Sequence, residues 1–334
     1  MLSRLKYGVL AIGAALLVTG GSGIASVSAQ DASPTPAECV SPGLPEGSPT
    51  PMDMASPAAE AGHEMEVPVA PEVPAGTPAD DATAAEIVAF VENYVACLNA
   101  ATAAADPSLY VGLWSAAFVM ESTGTGNPWD AVASEGSGPG TVVLQAVNNP
   151  VVLDDGSRAA NAEVLINDHW LANVHMTIVD EEGTWKYGSE MFQTADTSFA
   201  SGVTVMGIDI VETTDESTGA VTYAFQFLGA PTAVQNEVIT LNIANQGVEL
   251  HEAILIQLPE GADPMGILDG SIAEADVTFI AVAFPIYPGQ TYDLSLVNLD
   301  PGVYTLVCFI PGPDGAPHIV NGMVAQFEVV AAAA

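Results

Sequence analysis

Cys308, His318 and Met323 fall within one short stretch, Cys308-Phe309-Ile310-Pro311-Gly312-Pro313-Asp314-Gly315-Ala316-Pro317-His318-Ile319-Val320-Asn321-Gly322-Met323, and His251 stands upstream of them. Two imidazoles, a thiolate and a thioether are a donor set suited to copper. Soft sulfur holds Cu(I), imidazole nitrogen holds Cu(II), and a site that combines them disfavours neither state, as one-electron transfer requires. A thiolate also needs a positive neighbour, and no lysine or arginine lies between Val203 and Val330, so a metal would have to supply that charge. With only five histidines and three cysteines in the chain, four donors in this order are improbable from composition alone.

The elements around these residues must bring them together. From Val203 onward helical periodicity is absent, and strands are expected at 203–211, 221–228, 238–245, 251–258, 279–283, 290–296, 302–309 and 323–330. Turn residues such as Asn245-Gln246-Gly247, Pro288-Gly289 and Asp300-Pro301-Gly302 punctuate them, which describes an all-β Greek-key sandwich. One ligand then sits on a distant strand and three around the last loop, with the packed sandwich fixing their geometry.

The preceding segment reads differently. Ile87, Phe90, Val91, Tyr94, Val95 and Leu98 recur at helical spacing, and a second short helix is expected over 107–114. A Gly- and Ser-rich loop, 123–140, leads to strands at 142–147, 159–166, 170–179 and 184–191, joined by Asp154-Asp155-Gly156 and Asp180-Glu181-Glu182-Gly183 turns. Helices followed by an antiparallel meander predict an α+β domain whose curved sheet wraps the helices. Asp168, His169 and His175 are its acid/base candidates, since a spacing of six puts both histidines on one face of a continuous strand. They read either as a catalytic pair or as polar residues at a sheet edge or pocket lining.

Residues 1–29 have the layout of a cleaved secretion signal: Arg4 and Lys6, an apolar run from Gly8 to Val18, and small residues ending at Ala29. Secretion to an extracellular or periplasmic space follows. Residues 30–82 are rich in Pro, Ala, Ser, Thr and acids without apolar periodicity, and are expected to form a disordered acidic tail. Met52, Met54, His63 and Met65 lie in that tail, either as soft donors for transient Cu(I) capture or as incidental residues. If Cys308 ligates metal, Cys39 and Cys97 remain to pair with each other; the alternatives are a free tail thiol and an inert buried Cys97.

Loss of the signal leaves Arg158 and Lys186 as the only basic side chains, against 41 acidic ones in the whole sequence. So anionic a protein repels phosphate backbones and anionic lipid heads, which excludes nucleic acid and anionic membrane surfaces as partners and favours a cationic redox protein. Charged residues total only 13%, so the anomaly is missing lysine and arginine more than excess acid, and a salty or acidic habitat accounts for it equally well.

Two resemblances join these readings. Residues 203–330 resemble the cupredoxin family, the plastocyanin-like blue copper proteins, through three features: Asn245-Gln246-Gly247-Val248-Glu249-Leu250-His251, Gly302-Val303-Tyr304 ahead of Cys308, and the His318 to Met323 ending. The resemblance implies one type 1 copper site with His251 and His318 as imidazole ligands, Cys308 as thiolate and Met323 as the long axial ligand, with Asn245 and Glu252 around it. Two departures mark this chain. Nine residues separate Cys308 from His318 where the family has two to four, so the loop must fold out for His318 to return. Glu252 stands where the family commonly has Asn, the residue whose bond steadies the loop, and is expected instead to orient an imidazole.

Residues 83–195 resemble the nuclear-transport-factor-like, or SnoaL-like, cone fold in the order of helices and strands and the Gly183-Thr184-Trp185-Lys186-Tyr187 hairpin. That superfamily spans enzymes, binding modules and dimerising modules, so a homodimer through this domain or a docking role is compatible with it. The expected function is an exported type 1 copper protein that passes single electrons and is not an enzyme. One sandwich supplies too few histidines for a three-copper cluster. A metal-free binding module and a copper storage or delivery protein are the alternatives.

Overall fold

A computed structural model of the chain describes Cys39 and residues 71–332, apart from 125–126, 136–139, 201 and 236–237. The expected secretion signal and the Met52, Met54, His63 and Met65 donors lie outside the described residues.

The described elements start before the expected tail boundary at residue 82. A short strand β1 (Thr77–Pro78) pairs with β2 (Val142–Val152), and helix α1 (Asp81–Ala104) follows at once. Asp80 caps that helix, its carboxylate accepting the Thr83 N–H at 2.8 Å, which satisfies one of the otherwise orphaned first-turn amides. The face carrying Ile87, Val91, Tyr94 and Val95 is buried, as its spacing predicts. Helices α2 (Ser108–Val111), α3 (Ala116–Thr123) and α4 (Pro128–Glu135) complete the helical part. The last of these overturns the expectation of a loop throughout 123–140, because a Gly- and Ser-rich composition masked a helix that starts on a proline, where its missing N–H costs nothing.

Strands β2, β3 (Arg158–Ile166), β4 (Trp170–Glu181) and β5 (Thr184–Gln193) form the antiparallel meander. Eight of the next nine strands match the sandwich expectation: β6 (Val203–Thr214), β7 (Val221–Phe227), β9 (Val238–Asn245), β10 (His251–Gln257), β11 (Thr278–Ile286), β12 (Thr291–Leu296), β13 (Gly302–Val307) and β14 (Val324–Val330). The ninth, β8 (Thr232–Val234), is short and lies parallel to β14.

The two parts are not separate sheets. Trp170 and Leu171 of β4 pair with Leu296 and Ser295 of β12, which joins the meander to β12-β9-β6-β7 as one nine-stranded sheet. Beyond the ladder, Val297 N–H donates to the His169 carbonyl at 2.8 Å and the Asn298 amide donates to the Asp168 carbonyl at 3.1 Å. The five-stranded sheet β11-β10-β13-β14-β8 supplies the other half of the sandwich. A single hydrophobic core runs from Ile87 and Tyr94 under the helices, through Trp170 and Leu296 at the join, to Leu255, Tyr304 and Phe327 between the sheets.

These contacts place three candidate residues. Asp168 sits with Asn167 in left-handed backbone (φ 62° and 51°) on the turn between β3 and β4, and His169 precedes β4, so both serve the join and neither forms an acid/base pair with His175. His175 is buried inside the meander, its Nδ1 2.8 Å from Asn161 Oδ1.

Cys39 and Cys97 are disulfide-bonded with Cα atoms 5.5 Å apart, tying Cys39 to the buried side of α1. The bridge spans 58 residues. Opening it in Cys97→Ser is expected to lower unfolding free energy by about 2–4 kcal/mol through the freed entropy of the unfolded chain, measured by urea denaturation.

Under the helices, Tyr94 and Tyr187 stack at 4.5 Å, Phe118 meets Tyr187 edge-on, and the Tyr187 hydroxyl donates to Glu190. Burial pushes the Glu190 carboxyl above its ordinary value of 4.5 despite that bond, with the Glu121 charge adding to the rise. A carboxyl raised on folding binds more protons in the native state, so its stabilising contribution is complete below 4.5 and is lost as pH rises through the folded value. Glu190→Gln is therefore expected to flatten the decline in melting temperature above that pH while keeping the tyrosine hydrogen bond; an unchanged profile in thermal melts counts against this assignment.

Candidate metal centre

His251 opens β10, and Cys308 follows β13, which pairs with β10 through Ile254–Val307 and Leu255–Leu306. His318 opens a turn of 3-10 helix (His318–Asn321), and Met323 lies just before β14 with its N–H on the His318 carbonyl at 3.0 Å. The long loop between Cys308 and His318 closes on itself. His318 N–H donates to Ile310 O at 2.9 Å, Ile319 N–H to Cys308 O at 2.9 Å, and Gly312 N–H to Ala316 O at 2.8 Å. The Asp314 carboxylate accepts the Ala316 N–H, and Gly315 takes the left-handed backbone (φ 78°) that the tip requires. The residues in excess of the family's spacing thus form a small hairpin beside the site.

His251, Cys308, His318 and Met323 are all fully buried. The Nδ1 atoms of the two imidazoles are 3.1 Å apart, and Cys308 Sγ is 3.5 Å from His318 Nδ1. The outer nitrogens are both engaged by carboxylates: His251 Nε2 with Glu212 Oε1 at 3.0 Å, and His318 Nε2 with Glu249 Oε2 at 3.2 Å. With both glutamates ionised, each carboxylate can only accept, which puts the proton on each Nε2 and leaves each Nδ1 a lone pair. Two lone pairs facing each other at 3.1 Å lack a proton to share, an arrangement that a cation between them resolves. Tetrahedral ligation with metal–nitrogen and metal–sulfur bonds of about 2.05 and 2.3 Å needs nitrogen–nitrogen and nitrogen–sulfur edges of about 3.3 and 3.6 Å. Two of the edges, at 3.1 and 3.5 Å, are of that size, and the three His and Cys donor atoms all lie within 4.8 Å of one another.

The electrostatics point the same way. Burial and the neighbouring His251 push His318 down to about 4. Burial also lowers His251, against the pull of Glu212. Both rings are then neutral and free to ligate near pH 7. Burial and the Glu252 charge push the Cys308 thiol well above its ordinary range, so its ionisation needs a cation bound directly to the sulfur.

Glu252 does not orient an imidazole. Its Oε1 accepts the Phe309 N–H at 2.8 Å, immediately after the ligand cysteine, so it steadies the loop where the family's Asn is expected to; burial raises its carboxyl to about 7. Asn245 works at one remove, donating to the carbonyls of Glu249 and Ile286 and accepting the Gly247 N–H, which fixes the turn leading to His251. Asp168, His169 and His175 take no part in this cluster. Glu212, Glu249 and Tyr223 do, and sequence reading passes over them. Tyr223 stacks on His318 with ring centroids 3.9 Å apart and donates its hydroxyl to Glu249 Oε1 at 3.0 Å. Glu249, two residues before His251, carried the one available signal; Glu212 and Tyr223 come from the opposite sheet, where no local pattern marks them.

No protein-family model matches the sequence, and no curated relative matches it. Among solved structures the chain is similar, over part of its length, to blue copper proteins. Auracyanin A, a "blue" copper protein from the green thermophilic photosynthetic bacterium Chloroflexus aurantiacus, is 20% identical over 39% of this chain and 100% of that one, with a TM-score of 0.24. Dithionite-reduced auracyanin from Roseiflexus castenholzii is 18% identical over 40% of this chain and 99% of that one, with a TM-score of 0.24. Reduced rusticyanin is 12% identical over 42% of this chain and 83% of that one, with a TM-score of 0.25. The copper in auracyanin A is that protein's own; for this chain the metal is a matter of its donors.

Proposed function

We propose that the protein is a type 1 copper protein that carries single electrons. The observation that carries this reading is the pair of Nδ1 atoms facing each other at 3.1 Å beside the Cys308 sulfur, buried in a region without lysine or arginine. His251 and His318 would hold the copper through Nδ1 and Cys308 as thiolate, with the buried Met323 as the thioether donor. Bound copper supplies a one-electron couple. The chain's part is to hold the donors on packed strands so that little rearranges when an electron arrives or leaves, and to keep water from the thiolate.

On this reading the protein holds one copper, catalyses no reaction of its own, and is exported by residues 1–29. Its anionic surface receives a cationic redox partner. The helical half is a nuclear-transport-factor-like module that docks a partner or pairs with a second copy.

Titrating Cu(II) into the purified apoprotein is expected to give an intense blue thiolate-to-copper band that saturates at one copper per chain. The band is expected to vanish in Cys308→Ser while the far-ultraviolet circular dichroism stays the same. A colourless protein whose Cys308 still reacts as a free thiol after copper addition would overturn the reading and leave a metal-free binding module.

A further inference from the structure

Both imidazoles of the centre have their outer nitrogen bound by a carboxylate, and the two carboxylates are held in place by other contacts. Glu212 reaches across from β6, in the sheet opposite β10, and its Oε1 also accepts the N–H groups of Val248 and Glu249 at 2.9 Å each. Residue 247 must be glycine for this: a Cβ there would lie 2.0 Å from Glu212 Oε1. Glu249 is held by the Tyr223 hydroxyl, whose ring lies flat on His318. The two glutamate side chains are 11% and 15% exposed, and no lysine or arginine between Val203 and Val330 is available to neutralise either.

We infer that Glu212 and Glu249 are positioning residues that lock both imidazoles with Nδ1 free for the metal and bias the centre toward its cupric state. This rests on the copper reading above. The physical reason is twofold. An N–H that donates to a carboxylate makes the ring a stronger electron donor at its other nitrogen, and a stronger donor favours the more highly charged metal. Two nearby anionic groups in a partly dry setting add a Coulomb preference of the same sign. The donor set alone is indifferent between copper states; the carboxylates make this centre the weaker oxidant.

The test uses the copper-loaded full chain and the variants Glu212→Gln, Glu249→Gln and both together, since Gln keeps an acceptor oxygen and removes the charge. Spectroelectrochemical titration of the blue band is expected to show retained copper stoichiometry. Each substitution is expected to move the cupric–cuprous equilibrium toward Cu(I) by about tenfold, a rise of about 59 mV for a one-electron couple. The double variant is expected to move it further, and Gly247→Ala, which displaces the Glu212 carboxylate, in the same direction. An unchanged or lowered potential in copper-loaded variants overturns the proposal while leaving the copper reading intact.

If the wild-type chain takes up no copper, the copper reading fails, and the positional half of the proposal is read independently in the apoprotein. Nitrogen-15 NMR of His251 and His318 is expected to show Nε2–H tautomers in both rings, drifting toward a mixture in the Gln variants. Nδ1–H tautomers in the wild type overturn it.

Discussion

A ladder only two residue pairs long, Trp170–Leu296 and Leu171–Ser295, is the constraint on which the architecture turns. One edge of β4 is shared, its start by β12 and its remainder by β5, so the meander and the sandwich become one sheet with a common pair of faces. Ile166, Trp170, Leu296 and Ile239 follow one another in register across four strands, and all four are buried. One hydrophobic cluster takes in residues of the helices, of the join and of the five-stranded sheet. The adjacent row Leu171, Ser295 and Thr240 is buried as well, so both faces of the sheet are covered at this join.

The candidate metal centre inherits that arrangement. His251 belongs to the five-stranded sheet and Cys308 directly follows its strand β13, whereas Glu212 and Tyr223 belong to the nine-stranded one. The cluster is therefore assembled across the gap between the sheets, and the sheet packing sets the imidazole orientation as much as the local loops do. Buried carboxyls are costly without cations, yet Glu212, Glu249 and Glu252 all stand around one small volume. Their acceptor atoms are occupied by backbone N–H, imidazole N–H and a phenol O–H, each supplied by the chain in the absence of lysine and arginine.

Most strands were legible because they alternate or run apolar between turn residues, and the cluster of His251, Cys308 and His318 was legible because cysteine and histidine are scarce. What escaped was non-local. The helix Pro128–Glu135 was hidden by small and polar residues whose helicity depends on packing against neighbouring helices. Asp168 and His169 carried chemistry-bearing side chains, but their backbones help tie the meander to β12 within one sheet, a role that depends on Val297 and Asn298 far along the chain. Glu212 lies just past the expected strand 203–211, where no local pattern marks it. Its meaning depends on a glycine thirty-five residues on, whose missing Cβ lets the loop backbone descend onto it. Strand periodicity says which face a residue occupies; it says nothing about what crosses from the opposite sheet.

The hairpin between Ile310 and His318 bears on how ligand loops can vary. Because Ile310–His318 and Gly312–Ala316 hydrogen bonds close it at the base, residues added beyond Gly312 would lengthen only the tip. Loop-closure entropy charges about 0.6 kcal/mol for each doubling of such a tip. Ligand separation along the chain is thus a poor ruler for the centre, and the fixed quantity is the stem. Gly312 belongs to that stem, since a Cβ there would come within 3.0 Å of the Tyr223 hydroxyl and 3.4 Å of the His318 ring. The tip beyond it is free to diverge, and with it whatever the protein presents to a partner beside the buried ligands.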